Sequence, residues 1–259
     1  MAMIANLFIR TGLRKGITCL KSVYHSQPFK VADTTEDRTK KALRLVLMSA
    51  SPGILDGDEY HQRIELEEGS VLELETQAYQ RLFTMNQGAS LKLTVIAANN
   101  SLFCYLPHPV VPHSGSRFTA RNQVYLSRGC TLLWGEVLTP GRKLKGESFL
   151  FARYHNINEI FVEGKLVIRE NLLIEPATMK LNVMGQMEGF THQASFIFLN
   201  PSVNVRTLIS RVNDLLISEQ EIEFGISAAP VSGIIVRILG YRAEQLFGSL
   251  KRIAALCRS

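Results

Sequence analysis

The residues of this 259-residue chain that could do chemistry fall into a few groups. Asp56, Asp58, Glu59, Glu65, Glu67, Glu68, Glu73 and Glu75 crowd into 20 residues, opposed by Arg63. Oxygen-rich clusters suit hard or borderline divalent ions. Alternation with apolar residues offers the plainer reading, in which several of these acids lie on a solvated strand face. Asp56 and Asp58 stand apart, because Leu55-Asp56-Gly57-Asp58 reads as a turn that aims both side chains locally. Glu136 sits inside the apolar run Leu132 to Leu138 and needs a partner there, since an unpaired buried carboxylate is costly. Arg142, just past Pro140-Gly141, is the expected partner. Thr76-Gln77 ends the acidic stretch with an uncharged hydrogen-bonding pair. His108 and His113 are separated by Pro109 and Pro112 and preceded by Pro107, so no regular helix brings them together; they are expected as surface-loop histidines. Asp58 with Glu136 could also form the carboxylate pair of a β-rich hydrolase or lyase, if the two converged in a cleft.

Several enzyme signatures are absent. No GxGxxG, GxxxxGK[ST] or GxSxG occurs, and no HExxH. Neither a phosphate-cradling loop nor a nucleophile elbow is therefore signalled. Cys19, Cys104, Cys130 and Cys257 form no CxxC pair, which fits four reduced thiols in a cytoplasmic chain better than a zinc knuckle or a disulfide framework.

The elements that must position these groups are mostly strands. Between about residues 40 and 200 the hydrophobic period is two: Leu43, Leu45 and Leu47, then Ile64 and Leu66, Leu72 and Leu74, Leu91 and Leu93. Gly69-Ser70-Val71-Leu72, Gly88-Ala89-Ser90-Leu91 and Gly129-Cys130-Thr131-Leu132 share the form Gly-small-x-Leu, with Asn100-Ser101-Leu102 as a partial copy. The period is not fixed, so the pattern reads as similar strand starts in an irregular coil or layered sheets. After Asn200 the period becomes helical. A helix is expected to start at Asn200-Pro201-Ser202 and run through Ile217, followed by strands from Glu221 to Ile226 and Gly233 to Leu239, and by a last helix from about Tyr241 to Cys257. The expected architecture is mainly β, many short strands stacked in an irregular coil or in layered sheets, with two C-terminal α-helices. It reads as one domain over 1–259, with a β body from about 16 to 200 and a mixed part from about 201 to 259.

The net charge of +6 divides unevenly. Residues 1–32 carry five bases and no acid, 241–259 carry four bases and Glu244, and the middle is slightly acidic. That distribution argues against a nucleic-acid-binding body. The basic N-terminus has the composition of a transit peptide, but Gly16 to Val23 reads as a strand, so a basic first strand pair is the expectation. No run of 18 apolar residues suggests a membrane span. The basic C-terminal helix is expected to be a docking surface.

Four segments together resemble one family. These are Ser51-Pro52-Gly53-Ile54-Leu55-Asp56-Gly57-Asp58, Thr76-Gln77-Ala78 with Arg81, Tyr105-Leu106-Pro107-His108-Pro109-Val110-Val111-Pro112, and Glu136-Val137-Leu138-Thr139-Pro140-Gly141-Arg142. In order and spacing they look like the corresponding segments of the urease accessory protein UreD, called UreH in some bacteria. Ile54 departs from a glycine in that pattern, Cys104 from a common glutamate, and His113 from a frequent phenylalanine. The resemblance implies that these strands form an irregular superhelical stack of many short β-strands with two C-terminal α-helices, and that the chain is a non-enzymatic scaffold that binds apo-urease and UreF, with the GTPase UreG joining through UreF. It allows a dimer of the accessory complex. It implies transient nickel and no tightly bound cofactor, with the metal passing through an internal channel. Asp56, Asp58, Gln77, Glu136 and Arg142 match the family segments and are the expected channel lining. The physical demand on them is transit: they must attract a divalent ion and release it.

Overall fold

A computed structural model describes residues 2–258. The chain opens with a basic hairpin, β1 (Ile4–Arg14) and β2 (Ile17–His25), paired antiparallel around Lys15 and Gly16, which both adopt positive φ. This is the expected strand pair, although the strands begin at Ile4 rather than near Gly16. A second antiparallel pair follows, β3 (Phe29–Asp33) with β4 (Leu43–Ser49).

From β4 onward the chain crosses repeatedly between two sheets. β5 (Glu59–Leu66), β8 (Ala89–Ala97), β11 (Arg117–Leu126) and β13 (Arg153–Val162) run parallel to one another and to β1, and antiparallel β14 (Lys165–Ile174) and β2 form the edges of this seven-stranded sheet. β4, β6 (Val71–Thr76), β9 (Leu102–Leu106) and β12 (Thr131–Leu138) run parallel in the second, ten-stranded sheet. Antiparallel β15 (His192–Leu199), β17 (Gly233–Gly240) and β16 (Ile222–Ala228) extend it. Two short strands, β7 (Gln80–Leu82) and β10 (Val110–Pro112), pair with each other, and β10 also pairs with β12. A chain that alternates between two parallel sheets, one strand further along each time, is a superhelical coil. The mainly β stack expected from the period-two pattern is thus what the residues form.

The Gly-small-x-Leu segments sort themselves by this geometry. Gly69, Asn100 and Gly129 all turn the chain from the smaller sheet into the larger one, and all have positive φ. Their corners stack: Gly69 N–H donates to the Asn99 carbonyl at 2.9 Å, and Asn100 N–H to that of Arg128 at 2.9 Å. The small residues that follow, Ser70, Ser101 and Cys130, are buried on the inside of each corner. A Cβ on Gly129 would collide with the Asn100 side chain, so the corner accepts glycine there. Gly88 belongs to a different corner, at the start of β8, so the four segments do not form one evenly spaced series.

Two hydrophobic cores share the larger sheet. One lies between the sheets and includes Ile9, Ile64, Leu72, Leu74, Val95, Phe103 and Trp134. The other lies on the opposite face of the larger sheet, under α1 (Val205–Ile217) and α2 (Ala243–Arg258), and includes Leu133, Phe196, Val212, Leu246, Leu250 and Ile253. β12 therefore serves both, with Leu132 and Trp134 inward and Leu133 and Val137 toward the helices.

α1 starts later than the Asn200-Pro201-Ser202 expectation. The Asn200 side chain takes the Ser202 N–H in a local turn, and Asn204 caps the helix by accepting from Thr207 N–H at 3.1 Å. The bases of α2 are not a free surface. Lys251 pairs with Glu75 at 3.4 Å, Arg258 with Glu73 and Arg252 with Glu219. The helix expected to dock a partner thus uses part of its charge to hold itself to β6 and to the residues after α1.

Candidate functional site

Alternation along β12 decides where Glu136 points. Trp134 and Leu138 face the core between the sheets, so Glu136, between them on the same face, points there too. It is the larger sheet's contribution to a polar row: Glu136 lies beside Ser195 of β15, which lies beside Arg237 of β17. The smaller sheet supplies the facing row, in which Gln62 of β5, Leu93 of β8, Asn122 of β11, Asn158 of β13 and Glu170 of β14 are neighbours in register.

The two rows meet at Glu136. Its Oε2 accepts from Asn158 Nδ2 at 2.6 Å and from Asn156 Nδ2 at 2.9 Å. Behind them, Asn122 Nδ2 donates to Asn158 Oδ1 at 2.7 Å and to Asn156 Oδ1 at 3.0 Å. All three asparagines are buried. A carboxylate only accepts, so both amides must turn their N–H groups toward it and their oxygens toward Asn122. Burial pushes the Glu136 carboxyl above its ordinary range, and the Glu170 charge adds to this; the Asn158, Trp134 and Asn156 donors oppose the shift.

Glu136 lines two cavities. The first, of about 290 Å³, is walled by Gln62, Tyr105, Asn122, Tyr154 and Asn156, and reaches a rim formed by Gln77, Tyr79, Arg81 and His108. The second, of about 300 Å³, continues past Asn158 to Glu170, Ser195 and Arg237. Within the second, Glu170 accepts from Ser195 Oγ at 3.1 Å and from Arg237 at 2.8 Å. In the first, Tyr60 OH and Gln62 Oε1 are buried polar atoms with no protein partner, so that cavity suits water or another polar guest. α2 borders the rim: Tyr79 OH donates to Glu244 at 2.8 Å, and the Phe247 ring lies 4.8 Å from that of His108.

The sequence-predicted residues separate. Gln77 and Glu136 line the same cavity, Gln77 exposed at its rim and Glu136 deep within. Arg142 does not reach Glu136. β12 ends at Leu138, the chain turns outward, and Arg142 Nε donates to Glu147 at 2.8 Å, holding that carboxyl below the usual range. Asp56 accepts from Gln87 and Gly88 N–H and braces a corner. Asp58 is buried, accepts from Met3 and Leu55 N–H at 3.2 and 2.9 Å, and lines a third cavity of about 390 Å³ that does not include Glu136. The carboxylate pair imagined for a hydrolase therefore does not share a cleft.

The acidic stretch is divided between sheets and largely paired. Glu65 meets Arg63, Glu67 meets Arg10, and Glu73 is shared by Arg44 and Arg258. Among the described residues no group of three or more His, Cys, Asp or Glu is placed to hold a metal ion. His113 is buried rather than on a surface loop, its ring 4.8 Å from that of Phe83, an aromatic role that suits a position where the resembled family often has phenylalanine. Burial lowers its basicity, with Arg142 adding to the effect. Cys104 faces the helix-side core, where burial pushes its thiol up to about 12.

The asparagines were missed by sequence reasoning. Their signal is present as Asn156-Ile157-Asn158, two amides on one face of a strand. What the period could not tell is that this face points inward.

The fold and site define a superhelical β protein with a shielded polar interior and one carboxylate shared between two cavities. A family model described as "UreD urease accessory protein" matches residues 4–259, and the chain belongs to that family. The Urease accessory protein UreD of Flavobacterium johnsoniae is 44% identical over 252 residues, covering 97% of this chain and 91% of the relative. That of Acetivibrio thermocellus is 33% identical over 250 residues, covering 96% and 95%. That of Haemophilus influenzae strain 86-028NP is 32% identical over 256 residues, covering 94% of each. No described helix is long and apolar enough to cross a membrane.

Proposed function

We propose that this chain is a non-enzymatic scaffold of urease maturation in the cytoplasm. It binds apo-urease and UreF, UreG joins through UreF, and nickel delivered by that complex passes through the polar interior of this protein. The observation that carries the reading is the position of Glu136, whose carboxylate lines both cavities while only Oε2 is engaged by amide donors. Gln77 stands at the entrance side and Glu170 lies beyond Glu136.

The chemistry fits transit. A lone carboxylate attracts a divalent cation by charge, and neutral amides leave that charge uncompensated. Among the described residues no cluster of further metal-ligating side chains surrounds it, so the ion is not trapped. Nickel is cargo here, not a resident cofactor.

The test is co-expression of urease with its accessory proteins and either the native chain or Glu136→Gln. Nickel per urease active site is then measured, with pull-down of urease and UreF as the assembly control. The reading expects assembly to persist and nickel loading to fall at least tenfold. Full loading with Glu136→Gln would overturn it.

A further inference from the structure

We propose that Asn122 is the positioning residue of Glu136, acting through Asn156 and Asn158 to fix which carboxylate oxygen is engaged and which is left for a passing cation. The inference rests on the transit reading and names the device that would make the passage a one-oxygen contact.

Asn156 and Asn158 each have one amide oxygen and one amide nitrogen to place in a buried setting. Either could turn its oxygen toward Glu136, which would set two acceptors against each other. The acceptor-only carboxylate already opposes that turn, and Asn122 locks it out from the other side. Its single Nδ2 faces both amide oxygens, at 3.0 and 2.7 Å, so both are held on the Asn122 side and both N–H groups on the Glu136 side. The two donors then converge on the same atom, Oε2, at 2.9 and 2.6 Å. The register makes this repeatable: Asn122 and Asn158 are direct neighbours on adjacent parallel strands, with Asn156 two residues earlier on the same face of β13.

The other groups facing Glu136 do not duplicate this role. Trp134 precedes it by two residues on β12; its indole N–H lies near enough to oppose the Glu136 shift but makes no hydrogen bond of ordinary geometry, so it does not select a carboxylate oxygen as the amides do. Tyr105 of β9 and Tyr154 of β13 line the first cavity beside it. Glu170 of β14 is engaged by Ser195 and by Arg237 of β17. Arg169 of β14 pairs with Glu159 at 3.7 Å on the other face. No cation is in position to orient the carboxylate among these groups, so the amides do.

Two readouts test the proposal. The first uses the metal-free full chain labelled with 13C at the glutamate side-chain carboxyl. The Glu136 resonance is identified by its loss in Glu136→Gln and observed at one neutral pH. Asn122→Leu removes the donor at similar volume, and Asn122→Asp replaces it with an acceptor. Each is expected to move or broaden the Glu136 resonance while leaving the Glu159 and Glu170 resonances in place. If Asn122→Leu does not fold by circular dichroism, Asn122→Asp is read instead. An unmoved Glu136 resonance in a folded variant overturns the positioning role.

The second readout is a double-mutant cycle on nickel loading of urease. Asn122→Leu alone is expected to lower loading at least fivefold, and to add nothing in the Glu136→Gln background. Full additivity would mean that Asn122 acts independently of Glu136, and would also overturn the proposal. Failure of the transit reading looks different: Glu136→Gln alone would then load urease normally, whatever the resonance does.

Discussion

Glu136 Oε2 and Asn158 Nδ2 lie 2.6 Å apart, and the two residues belong to different sheets. The bond spans the interior of the coil, where most neighbours are apolar. It joins β12 to β13, consecutive strands in the chain that lie in opposite layers. An interior carboxylate held this way has enough donors to remain in place and too few charges around it to be neutralised.

Stability should report the strain of that arrangement. Burial raises the Glu136 carboxyl above its ordinary value of 4.5, so the folded state holds the proton more tightly than the unfolded chain does. Above the unfolded value the unfolded chain binds fewer protons, and stability falls as pH rises through the folded one. Glu136→Gln keeps an acceptor for both asparagines and removes the charge. Its melting temperature is expected to match the native chain near pH 4 and to exceed it at pH 7–8, by thermal scans in matched buffers. A lower melting temperature at neutral pH would contradict this.

His192 predicts an effect at the acid end. Burial is the main force that pushes its basicity down to about 4, with Lys143 adding and Glu244 opposing. The folded state keeps it neutral, so its contribution is full above about pH 6.5 and is lost as pH falls toward 4. The loss should reach about 3 kcal/mol by the lower end. His192→Gln should flatten this part of the pH profile in urea unfolding series, whatever it does to stability at pH 8.

The ion pairs of α2 predict a local effect. Glu73 receives both Arg44 and Arg258, and its side chain is half-buried between them. Glu73→Ala should cost about 1 kcal/mol, at the upper end for pairs near the surface. Hydrogen exchange should quicken in the last turns of α2 and remain unchanged in β11 and β13, which lie in the other sheet.

Gly135 should be intolerant for a packing reason. A Cβ there would lie 2.6 Å from Leu106 Cδ2 and 3.1 Å from Leu250 Cδ1, in the core between the larger sheet and α2. Gly135→Ala is expected to cost about 1–3 kcal/mol in denaturant unfolding. Gly225→Ala is the contrast, because nothing lies within 4 Å of a Cβ at that position in β16; it should be neutral or slightly stabilising.

The sequence by itself determined the strand-rich coil, the two late helices and the presence of a carboxylate in apolar surroundings. These are local matters. Period two places Leu72 and Leu74 on one face, glycine or asparagine marks corners at 69, 100 and 129, and helical spacing from Val205 to Ile217 shows one apolar side. It also singled out Gln77 and Glu136, but that the two share one cavity follows from the fold. Only the tertiary structure decided what Glu136 faces. Periodicity says which residues share a side, but not which side is inward, nor which strand of the opposite layer lies across from it. Arg142 is closer to Glu136 in sequence than Asn156 or Asn158, yet the chain turns outward after β12 and carries it to Glu147. The asparagines arrive instead because parallel register sets Asn158 beside Asn122, and the stacking of coils brings β13 over β12. Partners across the interior are set by register and layer stacking, which are global properties of the coil.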